Sequence, residues 1–441
     1  MQEKVKNALK DAITKSLPIL YPLYTQLTEP YLEWYRDENL QWQASWVDRS
    51  SSYLTFREAR EFLHETSAEF IKIFCEYYPQ YTNLVGTRGC FINIVNDPSG
   101  ILKSALGELW NRHEATQVTN ESIEILLQEF AKFIDCPTLK FHYTATLLNY
   151  KMDAEAVQLP NNLVIRQLSE REASKMYGGP MSMIPFNLKR SFSVPYSVLE
   201  GEFEELKVYE NYEKFNESGF DVKSKLNQVI LVLRTFKSGP VGYDCIHIRP
   251  KGFCPLPKIT SIQTGDAYIP FGIYQISKNE VDTLRNHAML IFSGLDQAME
   301  MACRRLAEAE SRTRFQDRLL DAAIGLESIL LAGLSKDDRR SELKFRFSLN
   351  YSTLFNTPEK RSHAYRIAKD IYDLRSAIAH GSSIKEPCRL GDKKVGLDEA
   401  AQTACDVLRS VISYFLPEVK SAPYTKPIFW ENGYFGVEPR L

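Results

Sequence analysis

Residues 372–381 read Tyr-Asp-Leu-Arg-Ser-Ala-Ile-Ala-His-Gly, and this stretch decides how the C-terminal part of the chain is interpreted. Apolar side chains recur at helical spacing before and within it, which predicts a core-facing stripe made of Ile367, Ile371, Leu374 and Ile378. A neighbouring face of the same helix carries Ala368, Tyr372, Arg375 and Ala379. Its small residues would let a second helix approach closely while an arginine is held at the centre.

Gly381 is a favourable residue just beyond a helix end, so the helix is expected to end at His380. The carboxyl end of a helix carries partial negative charge, which favours a protonated imidazole. Arg375 and His380 are five residues apart and therefore stand about 140° apart around an ideal helix. They could meet at one atom if the last turn is distorted, or if two copies face each other across a two-fold axis. The spacing therefore indicates a composite site.

The R-x4-H pattern at the end of a long helix, followed by glycine, resembles the R-x4-6-H signature of HEPN domains. The wider context is similar to the Apea-like branch, where an LE element and a helix with EL and R precede YxLRSxIxHG. The corresponding residues here are Leu326-Glu327, Glu342-Leu343 with Arg346, and Tyr372 to Gly381. The resemblance covers about residues 281–420 and leaves the first 280 residues unexplained.

The resemblance implies a metal-independent endoribonuclease that acts as a homodimer, without a cofactor, in anti-phage defence or as a toxin. Arg375 and His380 would be catalytic, and Glu327, Arg346, Tyr372 and Ser376 would support them. The sequence departs from the family at Ser376, where active members often have Asn, Asp or His. The RNA target, whether tRNA or mRNA, is open, and residues 1–140 are expected to sense a phage or host trigger.

These residue types suit RNA cleavage, because RNA carries its own nucleophile in the 2′-OH. His380 can take the proton of the 2′-OH or protonate the 5′-oxygen leaving group. Arg375 can make two hydrogen bonds to the phosphate as negative charge develops there. The expected products are a 2′,3′-cyclic phosphate and a 5′-OH, and DNA should not be cut.

Structural roles for the same residues are the alternative. Arg375 could pair with a buried carboxylate, and His380 could cap its own helix. Glu327 lies on an apolar helix face and so needs a cation, with Arg346 or Arg375 as the expected partner and a structural ion pair favoured over catalysis. Tyr372 is more typical of packing than of RNA stacking. The rival function is a catalytically inactive HEPN domain that serves as a dimerisation or RNA-binding adaptor.

The fold is expected to be mainly α, with a C-terminal HEPN-type antiparallel helical bundle preceded by a helical segment and a smaller α+β region. The predicted regions are 1–140 (helical), 141–280 (α+β), 281–420 (HEPN bundle) and 421–441 (aromatic tail). Bundle helices are predicted near 279–311, 314–332, 340–355, 359–380 and 397–416. Thr55 with Glu58, Asn120, and Ser169 with Glu172 are predicted helix caps, and strands are predicted over 141–150 and 163–168.

Composition fits a globular protein, with 44% hydrophobic, 25% charged and 12% aromatic residues. The net charge of -2 excludes a generally basic surface, although residues 301–420 hold 21 Lys and Arg against 17 Asp and Glu. The eight cysteines form no C-x-x-C pair. Cys245, His247 and Cys254 are better explained as core residues than as metal ligands. No signal-like or membrane-length apolar segment is seen, so a cytoplasmic protein without membrane contact is expected.

Overall fold

The computed structural model describes residues 1–38, 41–81, 84–87, 90–93, 99–113, 117–177, 179–180, 196–209, 220–255, 262–263, 272–334, 342–382, 384 and 386–436. Within these residues the helices are α1 (Glu3–Gln26), α2 (Ser52–Glu58), α3 (Arg60–Tyr77), α4 (Gly100–Arg112), α5 (Asn120–Asp135), α6 (Glu170–Tyr177), α7 (Phe220–Phe236), α8 (Val281–Phe292), α9 (Gln297–Ser311), α10 (Phe315–Leu330), α11 (Leu343–Thr353), α12 (Pro358–Ala379), α13 (Leu397–Phe415) and α14 (Pro427–Tyr434).

The strands of the same described residues are β1 (Thr28–Arg36), β2 (Trp42–Ser50), β3 (Leu84–Thr87), β4 (Cys90–Asn93), β5 (Thr138–Leu148), β6 (Tyr150–Met152), β7 (Ala156–Leu159), β8 (Leu163–Gln167), β9 (Gly179–Pro180), β10 (Ser197–Leu206), β11 (Val208–Tyr209), β12 (Gly242–Pro250), β13 (Ile262–Gln263), β14 (Tyr274–Ile276), β15 (Cys388–Leu390) and β16 (Lys393–Val395). The chain is therefore mainly helical, with a smaller, mostly antiparallel β part, as the sequence predicted.

The chain divides into two compact units. The first comprises residues 1–146, 166–224 and 244–264, and the second comprises residues 147–165, 225–243 and 265–441. In the first unit β1 pairs antiparallel with β2 and β9, and β3 pairs antiparallel with β4 and β11. Four further strands of this unit lie in one sheet in the order β13-β12-β5-β10. The four regions predicted from sequence stay a prediction.

The N-terminal region differs from its purely helical prediction, because β1 and β2, of nine residues each, form a hairpin between α1 and α2. Every residue of both strands is exposed or half-buried, so no buried apolar pattern marks them. Two predicted caps were also wrong. Thr55 lies inside α2, which is capped by Ser51, and Asn120 is the first residue of α5, which is capped by Thr119.

The strand predictions over 141–150 and 163–168 are confirmed by β5 and β8. The cap at the start of α6 is also confirmed, since the Ser169 hydroxyl accepts from the Glu172 N–H at 3.3 Å and the Glu172 carboxylate accepts from the Ser169 N–H at 3.3 Å. Residues 178–195 are rich in Gly, Pro and Ser, which predicts a loop. Of this stretch the structure describes only Gly179–Pro180, which form β9. Lys207 is a buried cation of this unit, and its ammonium group donates to the carbonyls of Phe133 and Ile134 in the last turn of α5.

The second unit is built on α10, which packs against α9, α12 and α13, while α11 packs against α12. Four of the five predicted bundle helices are confirmed within a few residues. The prediction of a single helix over 279–311 is wrong, because the helix is interrupted between α8 and α9. Gly294 adopts φ +100°, and the Asp296 carboxylate accepts the N–H groups of Ala298 and Met299 at 2.8 and 3.2 Å to start α9.

The aromatic residues of the C-terminal segment, Phe429, Trp430, Tyr434 and Phe435, are predicted to pack back on the body of the protein. Phe429 and Trp430 do so within the same unit, whereas Phe435 is 83% exposed. The Phe429 and Trp430 rings lie edge-on to Phe415 of α13, and Trp430 is buried. The Tyr424 hydroxyl donates to the Asp296 carboxylate, so this segment also contacts the cap of α9. A short hairpin of β15 and β16, which the sequence did not predict, separates α12 from α13.

Two buried carboxylates of the second unit are each neutralised by two arginines. The Glu310 carboxylate, 2% exposed, accepts from Arg318 at 3.1 Å and from Arg409. The Asp321 carboxylate, 6% exposed, accepts from Arg305 at 2.9 Å and Arg312 at 2.7 Å. Ion pairs of this kind orient the helices, because removing either partner leaves an uncompensated buried charge.

Candidate active site

The end of α12 has a complete C-terminal cap. Gly381 adopts φ +68°, its N–H donates to the Ile378 carbonyl at 3.0 Å, and the Ser382 N–H donates to the Ala377 carbonyl at 2.9 Å. These two bonds form a Schellman motif, in which a left-handed glycine closes the last turn. His380 is the cap residue itself, one position beyond the last helical residue. The prediction that the helix ends at this histidine is confirmed to within that one residue.

The His380 side chain is exposed and makes no hydrogen bond or ion pair with any residue that the structure describes. It lies at the C-terminal, partially negative end of a helix of 22 residues. An exposed imidazole at this position can exchange protons with a ligand or with water.

Arg375 of α12 pairs with Glu327 of α10. The Arg375 Nη2 donates to the Glu327 Oε2 at 3.2 Å, and the side chains are 28% and 21% exposed. Glu327 was predicted to need Arg346 or Arg375, and the pair that the structure describes is the one with Arg375. The carboxylate is half-buried rather than fully buried. Burial raises the pKa of the Glu327 carboxyl above its ordinary value, and the Arg375 guanidinium partly opposes that rise.

The guanidinium of Arg375 retains donors beyond this ion pair. Its Nε is buried and has no acceptor among the described residues. Its central carbon lies 5.8 Å from the centre of the Tyr372 ring, one turn earlier on α12. Arg375 is thus held between a carboxylate and an aromatic ring, and its side chain is 28% exposed, so its outer N–H groups can reach an anion.

Tyr372 packs inside the unit rather than standing in solvent. Its ring lies 5.4 Å from Phe347 of α11 at an interplanar angle of 57°. Burial raises the pKa of the Tyr372 hydroxyl, the Glu327 carboxylate adds to the rise, and Arg375 opposes it. The packing role that the sequence favoured for this tyrosine is the one that the structure describes.

The two other predicted supporting residues, Ser376 and Arg346, are not partners in the described Glu327–Arg375 ion pair. Ser376 is half-buried next to Arg375, and its carbonyl accepts the His380 N–H at 3.1 Å. Arg346 of α11 acts on Tyr434, since burial raises the pKa of that tyrosine and the Arg346 charge opposes the rise.

The backbone of α12 directs the side chains of Arg375 and His380 to different sides of the helix. The bond from the His380 N–H to the Ser376 carbonyl is a regular helical bond, and His380 has φ -90° and ψ 4°. The helical path therefore continues to residue 380, and the two side chains leave it about 140° apart. Of the two ways in which they could meet, a distorted last turn does not fit this backbone.

The apolar stripe of α12 is rotated from its predicted position. Its buried residues are Ala364, Ala368 and Ile371, whereas Ile367, Leu374 and Ile378 are only half-buried. The physical reason is that α12 contacts α10, α11 and β15, so burial is spread over several sides of the helix. Ala379 lies on the face whose small residues were predicted to let a second helix approach, and it is exposed.

A surface cavity of about 380 Å³ was not predicted from the sequence. It lies where α11, the start of α12 and α14 meet, and its polar and aromatic lining consists of Ser352, Thr353, Arg361, Ser362, Tyr365 and Tyr434. Arg361 and Tyr365 are four residues apart on α12, which could have suggested a shared face. Tyr434 is far away in sequence, and only the fold brings it there.

Among the residues that the structure describes, no three His, Cys, Asp or Glu side chains are close enough to hold a metal ion. In the same part of the chain, no helix is both long and apolar enough to cross a membrane.

Comparison of the chain with protein-family models, with curated proteins and with solved structures found no match.

Proposed function

We propose that this protein is a metal-independent endoribonuclease of the HEPN type, with Arg375 and His380 as its catalytic residues. The observation that carries the proposal is the end of α12, where a Schellman cap presents an exposed histidine five residues beyond a partly exposed arginine. The resemblance of residues 372–381 to the HEPN signature adds support.

In the proposed reaction, a neutral His380 removes the proton of a ribose 2′-OH, and the 2′-oxygen attacks the adjacent phosphorus. The bond from phosphorus to the 5′-oxygen breaks, and a protonated imidazole gives its proton to that oxygen. Arg375 donates N–H groups to the non-bridging phosphate oxygens as charge develops on them. One strand ends in a 2′,3′-cyclic phosphate, the other begins with a 5′-OH, and no redox partner is needed.

The divergence of Arg375 and His380 supports a site made by two copies of the chain. If two α12 helices meet near a two-fold axis, the histidine of one copy can act as base and that of the other as acid. The exposed Ala379 and the half-buried Ser376 have small side chains, so a second helix can approach this side of α12 closely. The proposed active form is therefore a homodimer, which would act on RNA in anti-phage defence or as a toxin.

The Glu327–Arg375 pair favours the alternative to a nuclease, which is a catalytically inactive adaptor that dimerises or binds RNA. A carboxylate at 3.2 Å neutralises part of the charge that a phosphate would meet. In an adaptor this pair would be purely structural, and cleavage would not occur.

Incubation of purified full-length protein with total RNA in EDTA tests the proposal. We expect cleavage that EDTA does not reduce, with cyclic phosphate ends, and loss of cleavage in Arg375→Ala and in His380→Ala. The matched controls are Arg366→Ala and His363→Ala on the same helix, whose side chains pair with Asp392 at 2.9 and 3.4 Å. Equal activity in the catalytic variants and the controls would overturn the proposal, and RNA binding without cleavage would favour the adaptor.

A further inference from the structure

The cavity at the start of α12 has the chemistry of a nucleotide site. The Arg361 Nε donates to the Phe355 carbonyl at 2.8 Å, which fixes the guanidinium, and Arg361 makes no ion pair with the described residues. Its terminal N–H groups are therefore available at the cavity for a phosphate. Two phenol rings, Tyr365 and Tyr434, line the same space.

The hydroxyls of the cavity complement the N–H groups of a base. Ser352 and Thr353 donate their own protons to carbonyls of α11 at 2.7 and 2.8 Å, so each hydroxyl offers lone pairs to a ligand. The exposed Ser362 adds a third hydroxyl. Among the lining residues that the structure describes none is acidic, and the cavity is an open surface depression of about 380 Å³.

Exposed aromatic rings lie next to the two tyrosines of this cavity. Phe345 is 49% exposed and lies edge-on to Tyr365 with ring centres 6.4 Å apart, while Tyr434 and Phe435 are 37% and 83% exposed. Residues 342–382 also hold seven Lys and Arg against four Asp and Glu, in a chain whose net charge is -2. Exposed rings interleaved with cations are what single-stranded nucleic acids bind, because every base has a face that can stack.

The cavity lies on the same side of α12 as the proposed catalytic arginine. Arg361 and Arg375 are fourteen residues apart, which places them about 21 Å apart along the helix and about 40° apart around it. A stacked strand rises about 3.4 Å per nucleotide, so this distance corresponds to about six nucleotides. One unpaired strand can reach both positions.

We propose that this cavity is a substrate-binding subsite that holds one unpaired nucleotide of the RNA, about six nucleotides from the bond that is cut. Arg361 binds its phosphate, and Tyr365 and Tyr434 stack on its base. This inference rests on the proposed ribonuclease function, which would make the enzyme specific for RNA with a single-stranded segment next to the cleavage position.

Binding is measured on the full-length His380→Ala protein, so that cleavage does not interfere. The probes are fluorescein-labelled oligouridylates of about twelve nucleotides, which reach both positions, and of about three, which do not. Adding Tyr365→Ala should weaken binding of the longer probe about tenfold, and Tyr365→Phe should retain it. Adding Arg361→Ala should lower the slope of log Kd against log salt by about one. The shorter probe should bind more weakly than the longer one.

Arg366→Ala is the matched control, because it removes one guanidinium from the same helix on the side that pairs with Asp392. Ser362→Glu is a second test that keeps the fold, since this residue is exposed, and it should repel the phosphate. Unchanged affinity in the Arg361, Tyr365 and Ser362 variants overturns the subsite, even if the wild type cuts RNA. Dependence on these residues in a protein that cuts no RNA retains the subsite and overturns the nuclease. Binding of uridine monophosphate without binding of either RNA probe also overturns the subsite.

Discussion

Replacing Glu327 by glutamine separates the structural and catalytic roles of Arg375. Glutamine keeps the shape of the side chain and an oxygen that can accept from Arg375, but it removes the negative charge 3.2 Å from the guanidinium. If Arg375 binds a phosphate of RNA, the variant should bind RNA more tightly. An added unit charge about 5 Å from a phosphate is worth about 0.8 kcal/mol in bulk water and about 3 kcal/mol at an effective dielectric constant of about 20. Both side chains are partly open to water, so we expect about 1 kcal/mol, or about fivefold tighter binding.

Stability should respond differently to the same change. Because burial raises the pKa of Glu327 in the folded state, its ionisation costs folded stability. The free energy of unfolding of the wild type, relative to Glu327→Gln, should therefore be highest in acid and should fall as pH rises through the raised pKa. At neutral pH Glu327→Gln should lie within about 1 kcal/mol of the wild type. Glu327→Ala should lose about 2 kcal/mol, because it leaves a half-buried guanidinium without its acceptor.

RNA affinity by fluorescence anisotropy in the His380→Ala protein and urea unfolding between about pH 4 and pH 8 are the measurements. The matched control is Glu308→Gln, which also removes one carboxylate from an arginine pair of the same unit, at 2.9 Å from Arg305. Weaker RNA binding in Glu327→Gln than in this control would refute the reasoning, since it would mean that the carboxylate positions Arg375 instead of competing with the phosphate.

Four other outcomes are expected. Arg375→Ala and His380→Ala should each abolish RNA cleavage while the thermal midpoint stays within a few degrees of the wild type, and EDTA should leave wild-type cleavage unchanged. Ala379→Trp should produce monomers in light scattering at micromolar concentration and lose cleavage together with dimerisation. Glu310→Ala should lower the free energy of unfolding by about 3 kcal/mol, because it leaves the half-buried Arg318 without its carboxylate and Arg409 with Asp406 alone. Burial lowers the pKa of His287 to about 4, so the unfolded state binds more protons and stability should fall as pH drops below about 6.5, with a smaller fall in His287→Gln.

Each of these outcomes has a result that contradicts it. Restoration of activity by metal after EDTA would exclude the metal-independent mechanism. A fully active monomer would exclude the composite site. A loss in Glu310→Ala no larger than that of Glu308→Ala, whose carboxylate is 39% exposed, would show that the buried pairs carry no net stability. Parallel pH profiles for the wild type and His287→Gln would show that another group titrates.

The parts of the fold that local chemistry determines were predictable from the sequence. Gly381 marks the end of α12 because a left-handed residue is needed just beyond a helix, and the cap at Ser169 depends on residues three positions apart. The break before α9 was missed because Gly294 and Asp296 lie between two apolar helical patterns, and the pattern alone continues across them.

Features that depend on distant residues were harder to predict. The sequence predicted either Arg346 or Arg375 as the partner of Glu327. Only the packing of α10 against α12 shows that it is Arg375. The cavity needs Tyr434 from α14 beside Arg361 from α12, and no spacing rule connects them. The sequence shows the residue types that line the cavity, but it does not show that these residues lie close together in the fold.

The contact between Tyr424 and Asp296 has a consequence for the order of folding. Because a ribosome makes the chain from its N-terminus, α9 and its Asp296 cap emerge well before Tyr424 and Trp430 exist. Until then Phe415 lacks the rings that cover it, and the cavity lacks its Tyr434 wall. The helical unit can therefore reach its final packing only after nearly all of its residues have been synthesised. Until then, a growing chain on the ribosome carries α12 and His380 without the C-terminal residues that complete the cavity.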